Sequence, residues 1–226
     1  MSESLPYCLE ITEWETPATK YPPAKFGSAR ITRETYRKGY YRMEAVKGYM
    51  FYRLKKPIQV TNLEINGQVS MVDDPLHWYG MQALAEHSTG KVLVGGLGLG
   101  LIVHALLQNK DVAQIDVVEI NPDVIALIKP RIPTASNLQF HNDSIYAFAH
   151  YGQNYDTVII DLWIKSSGSR TEGAKIYAEM MTAFAVFKKL YPKANIYIWG
   201  LGDSSINPSV DPDIRKAIPP DYYRSA

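Results

Sequence analysis

KVLVGGLGLGLIVHALLQNKDVAQIDVVEI, residues 91–120, decides how the whole chain is read. Its opening run, Val92, Leu93 and Val94, is too short for a buried helix and β-branched enough for a buried strand. Gly95, Gly96, Gly98 and Gly100 then break the run, which predicts a tight turn. Residues 101–107 have helical character, and 115–120 form a second apolar strand run ending on a single acid, Glu119. Strand, glycine turn, helix and acid-tipped strand make one βαβ unit, the front half of a nucleotide-binding α/β sheet. A carboxylate in that place suits a ribose, because it accepts hydrogen bonds from two neighbouring hydroxyls.

The spacing of the glycines selects the nucleotide. A dinucleotide fingerprint G-x-G-x-x-G counted from Gly96 needs a glycine where Leu101 stands. The glycines instead run G-x-G-x-G at Gly96, Gly98 and Gly100, a spacing suited to the amino-acid and sulfonium part of S-adenosylmethionine rather than to a diphosphate. A purely structural glycine turn in another α/β protein is the competing reading.

Composition narrows the class. A chain of 226 residues with 46% hydrophobic and 21% charged residues fits one substantial core plus an appendage. No run approaches the ~18 apolar residues that span a bilayer, and the N-terminus lacks a signal-peptide pattern, so a cytoplasmic protein without membrane contact is expected. Cys8 stands alone, which leaves no internal disulfide. His77, His87, His104, His141 and His150 form no metal-ligand spacing with carboxylates, and no metal is assigned.

The net charge of +1 conceals an asymmetry. Between residues 20 and 56 eleven Lys or Arg face only Glu34 and Glu44, so the segment carries +9 and the remainder −8, and six tyrosines are interleaved. One reading is an arm for an anionic partner, a nucleic acid or an acidic acceptor, with tyrosines to stack on bases. The other is a small sheet with a basic solvent face and tyrosines packed inward.

Taken in order, residues 1–25 are expected to be irregular, and 26–72 to form several short strands. Asn66-Gly67 is the clearest hairpin signal, a type I′ turn. Asp73 or Asp74 caps a helix with Pro75 in its first turn. After Glu119 the alternation continues: a helix from Asn121-Pro122-Asp123, a strand at 138–141 reaching Asp143, a helix over about 144–150, a strand at 156–160 reaching Asp161, a helix over about 172–190 and a fifth strand at 194–199. This rhythm predicts a Rossmann-like, mainly parallel sheet with helices on both faces, preceded by a small antiparallel β region. The division expected is a β-rich basic region over 1–72 and a nucleotide-binding domain over 73–226. With only some 25 residues after the fifth strand, the fold is expected to be truncated there, leaving an apolar edge covered by a homodimer partner or by the C-terminal tail.

Ligands on such sheets bind beyond the carboxyl ends of the strands, where Glu119, Asp143, Asp161 and the glycines all fall. One assignment uses them together: Glu119 takes the ribose hydroxyls, Asp143 the adenine amine, and Asp161 faces the sulfonium and the acceptor. Ile120 and Leu162, each just past an acid, sandwich the adenine. Helix capping is the competing reading for Asp143 before Ser144. Trp78 and Trp163 are aromatic-wall candidates, with core packing the alternative, and KSSGSRT at 165–171 is either a lid or a plain loop.

GGLGLG, IDVVEINPDV, LQFHNDSIYAF and YDTVIIDLW, in this order, resemble class I S-adenosylmethionine-dependent methyltransferases, and more closely their spermidine synthase branch. NGQVSMVDD resembles the segment of that branch in which a glutamine, here Gln68, precedes an acid pair, here Asp73-Asp74. The resemblance implies a transferase, with Gln68, Gly96, Gly98, Gly100, Glu119, Ile120, Asn142, Asp143, Ser144 and Leu162 binding the adenosyl donor and Asp161 catalytic. S-adenosylmethionine, its decarboxylated form or methylthioadenosine would be the nucleoside. Two departures separate this chain from polyamine synthases. Leu99 stands where they have the turn acid, and Asp161-Leu162-Trp163-Ile164 stands where they have D-S-S-D. A dicationic acceptor needs carboxylates, so methyl transfer from S-adenosylmethionine to a small-molecule or anionic acceptor is expected. Aminopropyl transfer through rearranged acids and a non-catalytic nucleoside- or RNA-binding role are the alternatives. The donor's own carboxylate would meet backbone N–H groups of the glycine turn.

Overall fold

A computed structural model describes residues 9–45, 48–162 and 170–200. In chain order these form β1 (Leu9–Ile11), β2 (Ala24–Phe26), β3 (Ala29–Tyr36), β4 (Gly39–Ala45), β5 (Gly48–Leu54), β6 (Ile58–Ile65), β7 (Gln68–Val72), α1 (Pro75–Glu86), β8 (Gly90–Gly95), α2 (Leu101–Leu106), β9 (Val112–Glu119), α3 (Pro122–Ile128), β10 (Leu138–Asn142), α4 (Ile145–Phe148), β11 (Thr157–Ile160), α5 (Arg170–Leu190) and β12 (Asn195–Ile198). Single-turn 3-10 helices lie at Pro17–Lys20, Lys129–Arg131 and Ala149–Tyr151.

Five strands build one all-parallel sheet in the order β10-β9-β8-β11-β12. The order reverses between β8 and β11, and such a switch point opens a crevice at the carboxyl ends of the two central strands. β8 is buried on both faces, which is why Val92, Leu93 and Val94 form an unbroken apolar run. On one face Trp78, Met81 and Leu84 of α1, Leu101 and Val103 of α2, and Val124 and Leu127 of α3 pack against Val92, Val94, Ile115 and Val117. On the other, Ile145 and Phe148 of α4 and Met180, Ala183 and Phe187 of α5 cover Leu93, Val118, Val158 and Ile160. The fold is therefore a Rossmann-like α/β sandwich. The acid inside the sheet, Asp116, is fully buried, and Gln114 Nε2 and Tyr155 OH donate to its Oδ2 at 2.9 and 3.1 Å while His141 Nε2 lies 3.0 Å from Oδ1.

The N-terminal strands form a four-stranded antiparallel sheet, β2-β3-β6-β7, and a three-stranded sheet, β1-β5-β4. β6 and β7 meet at the expected type I′ turn, with φ of +53° at Asn66 and +78° at Gly67. Residues 9–25 hold more regular structure than their prolines suggest: β1 runs parallel to β5, and Thr16 caps the Pro17–Lys20 turn. That parallel pairing depends on a partner more than forty residues away, which no local window reveals. Tyr36, Tyr41 and Tyr52 stack at 5.2 Å centroid spacing, and Tyr21 and Tyr52 are buried, whereas Tyr40 is exposed beneath Arg53. The tyrosines at 21, 36, 41 and 52 thus serve packing. Lys20 pairs with Glu15, and Arg53 and Lys55 pair with Glu10, acids that lie outside the segment in which the positive charge was counted.

Packing continues from these sheets into the half built on the parallel sheet. Tyr21 joins the core of α1, α2 and α3, and its hydroxyl sits 2.7 Å from His104 Nε2 and 3.3 Å from Leu99 O. Burial pushes the Tyr21 hydroxyl well above its usual range and lowers His104, so both are neutral there. No helix among the described residues is long and apolar enough to cross a membrane. β12 lies at one margin of the parallel sheet, and the tail beyond residue 200, including the expected truncation, lies outside the described residues.

Candidate active site

Three strand ends are stitched into one rim around the glycine turn. Gly96 N donates to Val118 O of β9 and Asp161 N to Gly95 O, each at 2.9 Å. Asn142 Nδ2 donates to Glu119 O at 2.9 Å and to Ile120 O at 3.1 Å, which ties the end of β10 to the end of β9. Gly96, Gly98 and Gly100 all have positive φ and all are crowded: a Cβ at Gly96 would lie 2.2 Å from Asp161 O, one at Gly98 2.2 Å from Met71 Sδ and one at Gly100 2.8 Å from Ile132 Cδ1. Only glycine satisfies both demands.

Glu119 turns its carboxylate onto this turn. Oε2 accepts from Leu97 N at 2.9 Å and Oε1 from Asn121 N at 2.8 Å. Two carboxylate oxygens offer about four acceptor sites, so a diol can still be received from the open side. Asp143 stands one residue past β10, where its Oδ1 accepts from Ser144 N at 2.7 Å; Ser144 is the residue before α4 and makes no side-chain cap bond. The chain thus uses Asp143 to hold the local turn as well as placing it on the rim. Ile120 is 72% exposed and Leu162 38%, both unusually open for aliphatic side chains, and Leu162 lies over Gly96. Gln68 is exposed at the start of β7, beside the hairpin tip where Asn66 N donates to Ser28 O. Ser28 in turn donates to Asp123 Oδ2 through its N–H and hydroxyl, each at 2.8 Å, which anchors this hairpin next to Asn121.

Several candidate residues serve the fold instead, among them Asp74 as the expected helix cap. Trp78 is 9% exposed and belongs to the core against α2, so it walls no site; Trp163 and most of KSSGSRT fall outside the described residues. Of the acid pair, Asp74 caps α1 by accepting from His77 N at 2.9 Å, and Asp73 is fully buried, with Thr16 Oγ1 and Thr61 N each donating to it at 2.5 Å. Both acids hold the chain together. Burial pushes the Asp73 carboxyl up to about 6 against the pull of those donors. Leu99 is buried and presents nothing to a ligand. The turn also offers fewer free donors than its glycines suggest: the N–H groups of Gly96, Leu97, Leu99 and Gly100 point at Val118 O, Glu119 Oε2, Met71 Sδ and Leu97 O.

Two residues at the rim went unrecognised in the sequence. His77, in the first turn of α1, stacks on Trp199 at 4.7 Å with 19° between the rings, and its Nε2 lies 3.6 Å from Asp161 Oδ2. Trp199 directly follows β12 and is locked there by donating its N–H to Ile160 O at 2.9 Å. One signal was available. α1 runs into β8 through a short connection, so its N-terminus must lie at the carboxyl end of the sheet, and a histidine there faces the rim.

No family model and no curated protein matches this sequence. Among solved structures the chain is similar to a spermidine synthase from Thermotoga maritima, with 12% identity and a TM-score of 0.39. The match spans 57% of this chain and 57% of that one, a likeness too small to carry an argument about activity.

Proposed function

We propose that the chain is a transferase that binds an adenosyl sulfonium at this rim and moves its alkyl group, a methyl from S-adenosylmethionine, to a small-molecule or anionic acceptor. The observation that carries the reading is the orientation of Glu119: its carboxylate points at the glycine turn, on the rim shared with Asp143 and Asp161, and an adenosine bound there would set its ribose on Glu119 and its base toward Asp143. Ile120 and Leu162 supply apolar faces for the ring, and their exposure is the kind that a ligand relieves. Asp161, next to the turn, addresses the reacting end. Alkyl transfer from a sulfonium needs chiefly alignment and an unprotonated nucleophile, both of which a carboxylate in that place supplies. Leu99 and Ile164 stand in the sequence where a polyamine dication would need two acids, which weighs against a polyamine acceptor.

A second reading rests on the occupied N–H groups of the turn. With Gly96, Leu97, Leu99 and Gly100 already directed at partners in the chain, a donor carboxylate has few backbone donors left, which favours decarboxylated S-adenosylmethionine or methylthioadenosine. Incubation with each sulfonium donor and a cell extract as acceptor source, followed by mass spectrometry, separates the two. A mass gain of one methyl supports the first reading and of one aminopropyl group the second; no donor-dependent product refutes both.

A further inference from the structure

His77, Asp161 and Trp199 come from three elements, the start of α1, the end of β11 and the end of β12, and nothing in the adenosyl assignment uses the histidine. Its backbone is held by donating its N–H to Asp74, and its ring lies stacked on Trp199. Its Nε2 is buried without a hydrogen-bond partner and aimed at Asp161 Oδ2, 3.6 Å away, with the two side chains only 14% and 21% exposed. That gap exceeds a hydrogen bond but is short for a charge pair in a half-dry site. A buried ring nitrogen left idle opposes folding, so a stacked ring with an idle nitrogen fits a group that acquires a partner during turnover.

We propose that His77 is the proton partner of Asp161, and that the acceptor is therefore protic, a hydroxyl or an amine. The proposal rests on the transferase reading above. The acceptor heteroatom bonds to the sulfonium-bound carbon, the C–S bond breaks with its electron pair passing to sulfur, and the proton lost by the heteroatom goes to the Asp161 carboxylate and on to His77 Nε2. Atoms and charge balance: a sulfonium and a neutral acceptor become a thioether, an alkylated neutral product and an imidazolium. Asp161 touches the acceptor, and His77 acts through it as a positioning and proton-storing residue. The imidazolium formed is stabilised by the carboxylate beside it and by the indole face of Trp199.

Two measurements test this, one without turnover. Tryptophan emission of the ligand-free protein reports the His77–Trp199 stack, since an imidazolium quenches an adjacent indole. Among the described residues the acids adjoining His77 are Asp161 and Asp74. Acidification is expected to quench the wild type, the quench being absent in W199F and H77Q and altered in D161N. An unchanged quench in H77Q or D161N overturns the pairing. For turnover, methyl release from S-adenosylmethionine is followed with phenol, benzyl alcohol and benzylamine as protic probes and pyridine and dimethyl sulfide as aprotic ones. H77G, checked for folding by circular dichroism, is expected to retain donor binding, to lose at least about a hundredfold in rate on protic probes, and to regain rate with added imidazole. Wild-type rate in H77G, loss without imidazole rescue, or donor binding with transfer to aprotic probes alone overturns the proton path; absence of donor binding in the wild type instead overturns the reading on which it rests.

Discussion

Replacing Glu119 by glutamine tests the rim most sharply, because the structure gives this carboxylate two separate tasks. Its oxygens each accept one backbone N–H, from Leu97 in the glycine turn and from Asn121 at the start of α3. Glutamine keeps the shape but only one acceptor oxygen, so whichever way its amide settles, its NH2 faces one of the two N–H groups. One charge-assisted bond is lost and one donor is left facing a donor, a cost of about 2 kcal/mol. For a chain of this size that lowers Tm by roughly 4–8 °C. The same change removes an acceptor for a ribose hydroxyl, so affinity for an adenosyl ligand should fall roughly tenfold to a hundredfold. Thermal unfolding by circular dichroism reads the first effect and titration calorimetry the second. An unchanged Tm refutes the structural role, and a lowered Tm with unchanged affinity refutes the ribose role while leaving the turn geometry intact.

Other expectations follow from neighbouring residues. Gly96→Ala places a Cβ against the backbone oxygen of Asp161 at a φ of +95°, neither of which can yield cheaply, and should cost about 3 kcal/mol in urea unfolding; a change below about 0.5 kcal/mol contradicts the crowding. Asp73 is raised from 3.8 to about 6 by burial, so the folded state binds its proton more tightly than the unfolded chain does. Its contribution to stability is therefore fully present below about pH 4 and lost as pH rises to about 6, by at most about 3 kcal/mol. Subtracting the pH–stability curve of Asp73→Asn from that of the wild type should expose that decline, and a difference that is flat over this window or rises with pH is the contrary result. Asp161→Asn should leave donor affinity within about threefold and reduce transfer about a hundredfold or more, as measured by calorimetry and product formation; equal loss of both contradicts the division of roles between Glu119 and Asp161.

How much of this was legible in the sequence follows from what each feature depends on. The alternation of strands and helices after residue 90, the Asn66-Gly67 turn and the helix cap at Asp74 rest on local chemistry: period, positive φ and an N-cap side chain. A window of ten residues contains all the information needed. The place of Glu119 was legible for the same reason, since a strand end fixes it. What the carboxylate binds was not, because Leu97 meets Glu119 only after the sheet has closed. The same holds for Met71, whose sulfur fills the space above Gly98 and accepts from Leu99 N, and for His77 against Trp199, which are brought together by elements at opposite ends of the parallel-sheet half of the chain. β1 escaped notice because three residues carry too little pattern and their partner, β5, lies far along the chain. Trp78 misled because an aromatic beside a strand end reads equally as wall or as core, and only the buried face of α1 decides between them.

Titration calorimetry of the purified chain against S-adenosylmethionine, its decarboxylated form, methylthioadenosine and NAD bears most directly on the claim that the rim of Gly96, Glu119 and Asp143 receives an adenosyl sulfonium. Saturable binding of at least one adenosyl–sulfur ligand, weakened by Glu119→Gln and with no heat from NAD, is the predicted result. Binding of NAD in preference to all three, or of none of the four, contradicts it.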